Sequence, residues 1–135
     1  MDNLLKTSTV VITPLLITAS VIILFSGHNS PGGGFIGGLI LGLCFFYKNS
    51  SIQKKTSVQR PVLLMAVGCA ITIASGLISF AYGQEFLKGM WKTVNIPFLG
   101  GVGISNIVLF DVGVYFSVAG VVYLILSLAW EDANG

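Results

Sequence analysis

The chain has 135 residues, of which 54% are apolar and only 9% charged, with a formal net charge of +2. Seven Lys and Arg and five Asp and Glu are too few to solubilise a globule of this size, because soluble domains carry about 25% charged residues. The apolar residues come in long blocks, which points to lipid as the solvent, and the lack of a basic run or of interleaved aromatic and basic residues argues against nucleic acid as a partner.

An all-α integral membrane fold with about four transmembrane helices is expected, as one membrane domain over residues 1–135. The first helix covers about 7–27. Thr7 to Gly27 is uncharged and long enough for a hydrocarbon core of roughly 30 Å at about 1.5 Å per residue. Only Lys6 precedes it nearby and no small-residue cleavage site fits before His28, so it reads as a retained helix rather than a signal peptide. Pro14 falls early in it, where a membrane helix tolerates a kink.

The second helix covers about 31–47. Ser30 suits the N-cap and Pro31 the first helical position. Gly32, Gly33 and Gly34 follow, so this helix is short and glycine-rich, and its span is marginal. Lys48 to Arg60 forms a polar loop, and Pro61 opens a third helix over about 61–83. Residues 84–103 mix Glu85, Lys88, Trp91 and Lys92 with Gly and Pro. They read as an irregular interfacial or partly re-entrant loop, with Trp91 at headgroup level and no period-2 strand pattern. The fourth helix covers about 105–130, capped by Ser105 or Asn106 and closed by Trp130 before Glu131 and Asp132.

With four helices, both termini and the 48–60 loop share one side. That side carries Lys6, Lys48, Lys54, Lys55 and Arg60, against Lys88 and Lys92 on the other. The excess places both termini in the cytoplasm. Cys44 and Cys69 lie in apolar blocks without CxxC spacing and read as small buried hydrophobes.

Chemistry concentrates at two places. Gly27-His28-Asn29-Ser30-Pro31-Gly32-Gly33-Gly34 puts the single histidine beside a helix N-terminus, where free N–H groups and a partial positive charge gather. Two readings stay open: a close-packing turn, or direct ion or proton handling. Gly34, Gly38 and Gly42 fall at i, i+4 and i+8 and line one helix face, with Gly37 beside them. Such stripes let membrane helices approach closely. Asp111 is the one carboxylate inside an apolar block, Val108-Leu109-Phe110-Asp111-Val112-Gly113-Val114-Tyr115. A charge in lipid is costly and is by default a functional candidate. Its place early in the fourth helix also allows it to complement that helix's dipole. His28 and Asp111 are therefore the candidate ion-path or polar residues, and Ser30, Pro31, Gly32, Gly33, Gly34, Gly37, Gly38 and Gly42 the candidate turn and packing residues. There is no membrane-centred Lys, no Lys–Glu pair, no nucleophile–base set and no metal-ligand spacing. Neither a complete proton relay, nor catalysis, nor a metal or other cofactor is expected.

Gly27-His28-Asn29 with Pro31-Gly32-Gly33-Gly34-Phe35-Ile36-Gly37-Gly38-Leu39 resembles the signature of the B subunit of Mrp-type cation/proton antiporters, MrpB, also called MnhB. Ile96-Pro97-Phe98-Leu99-Gly100 and the stretch Val108 to Tyr115 extend the resemblance, in matching order, over nearly the whole chain. It implies a small four-helix subunit of a multi-subunit Na+/H+ antiporter in a prokaryotic plasma membrane. Its partners would be the large A and D subunits, which carry the Lys/Glu proton machinery, other small subunits and membrane lipid. Na+ and H+ would be the ions of the complex. By position the family motif carries over His28, Pro31, Gly32, Gly33, Gly34 and Asp111. Many relatives have a polar, often His-containing segment before the last helix; here it reads Gly103-Ile104-Ser105-Asn106. The alternatives are a similar subunit in an ion-translocating membrane-bound hydrogenase or related respiratory complex, and a purely structural scaffold.

Overall fold

The computed structural model describes residues 2–26, 33–51, 57–83, 91–96 and 100–135. Four helices appear in chain order: α1 (Asp2–Ser26), α2 (Gly33–Ser51), α3 (Gln59–Ala81) and α4 (Asn106–Asn134). The helical membrane architecture expected from the sequence is present. Among the described residues, α1, α3 and α4 are long and apolar enough to cross a membrane, and α2, with 19 residues, is the short glycine-rich member. α1 begins at Asp2 rather than near Thr7 and runs through Pro14 without a break. α4 continues past Trp130 to Asn134 and so takes in Glu131 and Asp132.

The stretch expected to be an irregular loop is different in part. Between α3 and α4, β1 (Trp91–Ile96) pairs antiparallel with β2 (Gly100–Ser105), from Trp91 opposite Ser105 to Ile96 opposite Gly100. Thr93, Val94 and Ile96 are β-branched and suit an extended backbone. Gly100, Gly101, Gly103 and Pro97 obscure that signal. Residues 84–90 and 97–99 lie outside the described residues.

The helices stand in a row, α1, α2, α4, α3. α4 packs along α2 on one side and α3 on the other, while α1 packs on α2 and only grazes α4. The contacts fix the directions. Gly34, Gly38 and Gly42 of α2 meet Asp111, Tyr115 and Val122 in rising order, so α2 and α4 are parallel. Gly68 meets Gly113 and Ser117, and Pro61 meets Gly120, so α3 is antiparallel to α4. Ser20 bonds Gly37 and Cys44 reaches Thr13, so α1 is antiparallel to α2. Both chain ends therefore lie at one end of the row.

The shared core is small: Leu24, Leu41, Tyr115 and Ala119, flanked by Phe45, Leu64, Val112 and Phe116. Large apolar side chains cover the outside instead; Val10 of α1 and Phe80 of α3 are 75% and 68% exposed. Lipid or other membrane proteins can cover such a surface, whereas water cannot. Several hydroxyls on α1 are satisfied within the helix, as in Thr7 to Asn3 O and Thr18 to Pro14 O, each 2.8 Å.

Close contact along α2 and α4 leaves no room for side chains. A Cβ on Gly38 would fall 2.6 Å from the Tyr115 carbonyl oxygen and 2.9 Å from Val118 Cβ. Because a backbone atom blocks it, the helices must separate. Gly38→Ala is expected to cost about 1–3 kcal/mol, and Gly38→Leu to abolish the contact. Melting temperature and recovery of the purified protein read both, and an unchanged melting temperature for Gly38→Leu would contradict this packing.

Candidate functional site

The described part of α2 begins at Gly33, and the first turn of any helix leaves N–H groups without intrahelical partners at the positive end of the dipole. Asp111 of α4 lies against this turn. A Cβ on Gly34 would overlap the Asp111 carbonyl oxygen, and would fall 2.5 Å from Asp111 Oδ1 and 2.9 Å from Cγ. The carboxylate thus borders the start of a neighbouring helix as well as the early turns of its own. Asp111 is partly buried. Only a residue without a side chain at position 34 allows this approach, which ties Gly34 to Asp111. His28, Ser30, Pro31 and Gly32 lie outside the described residues.

One turn further along α4, Tyr115 enters the contact between α1 and α2. Its ring packs where a Cβ on Gly37 would fall, 3.1 Å from Cε2, and its hydroxyl lies 2.7 Å from Ser20 Oγ. Ser20 is fully buried and donates to the Gly37 carbonyl at 2.8 Å. A serine hydroxyl has a single proton. Since that proton serves Gly37, Tyr115 must donate to Ser20. One buried group of Tyr115, Ser20 and the Gly37 backbone thus joins α4, α1 and α2.

The opposite face of α4 is equally tight. A Cβ on Gly113 would overlap Thr72 Oγ1 and lie 2.9 Å from the Gly68 carbonyl. The Asn106 side-chain amide donates to Ser79 of α3. Asn106, a residue read from the sequence as a cap, thus also bridges helices. Ser20, Thr72, Ser79 and Tyr115 escaped the sequence reading, because isolated hydroxyls in apolar helices are common and nothing in their spacing marks a partner. Among the described residues no three His, Cys, Asp or Glu side chains gather as a metal site.

The donor order makes a test. Ser20→Ala leaves both the Gly37 carbonyl and the Tyr115 hydroxyl without their partner and should cost about 1–2 kcal/mol. Tyr115→Phe keeps the Ser20–Gly37 bond and should cost about 0.5–1 kcal/mol. Thermal unfolding of the two variants would show the ranking; the reverse order would contradict the assigned donors.

Residues 4–124 match a family model described as "Domain related to MnhB subunit of Na+/H+ antiporter". Proteins of Staphylococcus aureus strains Newman, JH1 and USA300, each named "Putative antiporter subunit mnhB2", are 33% identical to it over 129 residues, covering 93% of this chain and 92% of their own length. The matched stretch takes in both partners of the α2–α4 contact, from Gly34 to Val122, and the Ser20–Tyr115 junction beside it: the chain belongs to the MnhB family.

Proposed function

We propose that this chain is a small membrane subunit of a multi-subunit Na+/H+ antiporter. It packs against the large antiporter subunits and supports monovalent cation efflux coupled to proton uptake. The family match over residues 4–124 carries this reading. The helix row supports it physically. A small core and broad apolar outer faces suit a chain completed by neighbours in the membrane. The transported ions would follow a route built largely by those neighbours, since one carboxylate and one histidine cannot form a relay alone.

Within that complex, Asp111 acts from α4 as an electrostatic clamp on the start of α2, and His28 is a candidate ion-path or polar residue. A carboxylate beside a helix N-terminus contributes about 0.3–1 kcal/mol. Asp111→Asn keeps the shape and removes the charge. It should assemble, lose stability of that order and retain sodium-dependent proton exchange in everted vesicles at matched complex levels. Loss of exchange across pH 7 to 9 would instead put Asp111 in the ion route.

The cytoplasmic placement of both termini follows the distribution of Lys and Arg. With Cys44 and Cys69 replaced, Ser51→Cys at the end of α2 should react with an impermeant thiol reagent in everted vesicles and stay unlabelled in intact cells. Labelling from outside intact cells would reverse the orientation. Co-purification of the chain with other antiporter subunits tests the assembly itself.

A further inference from the structure

At the end of the row that holds both termini, a groove of about 380 Å³ runs between the first half of α1 and the last turn of α2. Lys6 of α1 and Lys48 of α2 stand along it, with Val10 and Pro14 forming an apolar wall. Both lysines are exposed, and among the described residues none that lines the groove is acidic. Asp2, one turn before Lys6, is the nearest acidic residue in sequence, and two lysines outnumber it. Thr13 also lines the groove, and its hydroxyl oxygen is buried without a hydrogen-bond partner. A buried hydroxyl left in this state is costly and marks a place for an acceptor or donor from outside the chain.

We infer that this groove holds an anionic phospholipid, its phosphate between Lys6 and Lys48 and one acyl chain along Val10 and Pro14. Three features select lipid over a free anion or a protein segment. The lysines end two membrane helices, which puts them at headgroup depth, and basic recesses between membrane helices bind anionic headgroups. The apolar wall continues into the exposed lipid-facing side chains Val11 and Leu15 of α1, so an acyl chain can leave the groove without crossing polar surface. Thr13 lines the groove deeper along α1 than Lys6, and a turn of its side chain brings the hydroxyl to a glycerol ester carbonyl, which a free phosphate does not have. The lipid would bridge α1 and α2 at the end away from the Ser20–Tyr115 junction.

The experiment uses the intact membrane complex with a photo-reactive side chain at Val10, reconstituted in phosphatidylcholine with increasing phosphatidylglycerol. Crosslinked phosphatidylglycerol should exceed its share of the bilayer. Lys6→Gln and Lys48→Gln should each weaken this preference about five-fold, and Lys48→Arg should retain it. Crosslinks that follow bulk lipid composition, or that go to another protein subunit, would overturn the inference. So would competition by inorganic phosphate equal to that of the lipid. If a lysine variant fails to assemble, the titration with both lysines present still decides between these outcomes.

Discussion

The structure depends on the close approach of α4 to both of its neighbours. In lipid, apolar side chains gain nothing by leaving one hydrocarbon surface for another, so helix association relies on contact distance and on buried polar bonds. α2 supplies the space on one side through Gly34, Gly38 and Gly42. On the other, α4 supplies its own, at Gly113 and Gly120, against Pro61, Met65, Gly68 and Thr72 of α3. At Gly38 and Gly120 a carbonyl oxygen occupies the place of a Cβ, at 2.6 Å and 2.8 Å. These are backbone contacts, and neighbouring side chains cannot rotate to relieve them. The order α1, α2, α4, α3 follows, because α4 packs closely on the glycine face of α2 with one side and, through its own glycines, on α3 with the other.

A row of helices has consequences that a closed bundle lacks. α1 and α3 form its two edges, and each turns large apolar side chains outward, as at Leu4, Val10, Leu63 and Phe80. The interior they leave is thin. What replaces a thick core is a set of short polar links at the helix contacts: Tyr115–Ser20–Gly37 on one side of α4 and Asn106–Ser79 on the other. Each link fixes the rotation of one helix against the next. Aromatic contacts add to this near the chain ends, where Phe46 meets Trp130 edge to face at 6.0 Å. A subunit built this way is ordered internally and still has both faces and both edges available to other membrane proteins.

Asp111 illustrates how position in the fold changes the meaning of a residue. In the sequence it is a carboxylate in an apolar block, early in a helix, and the nearest positive end along the chain is that helix's own. In the folded chain the parallel run of α2 and α4 brings it to the first described turn of α2, against Gly34. The glycine and the carboxylate, far apart in sequence, are a single structural feature. The shared contact gives a physical reason for the two to occur together.

Composition and block length alone determined that this is a helical membrane chain with about four helices, and that α2 would be short and glycine-rich. Those properties follow from local quantities: apolar run length against bilayer thickness, and glycine and proline at the breaks. The i, i+4, i+8 spacing of Gly34, Gly38 and Gly42 also made one face of α2 visible. Only the tertiary structure decided what meets that face. Nothing local says that α4, last in the chain, inserts between α2 and α3, because helix order depends on which small-residue faces match in three dimensions. The hairpin of β1 and β2 was hidden for a related reason. Gly100, Gly101 and Gly103 have weak strand preference, and their extended form depends on pairing with Trp91 to Ile96. The same holds for Ser20 and Tyr115, whose hydroxyls acquire a partner only when three helices converge.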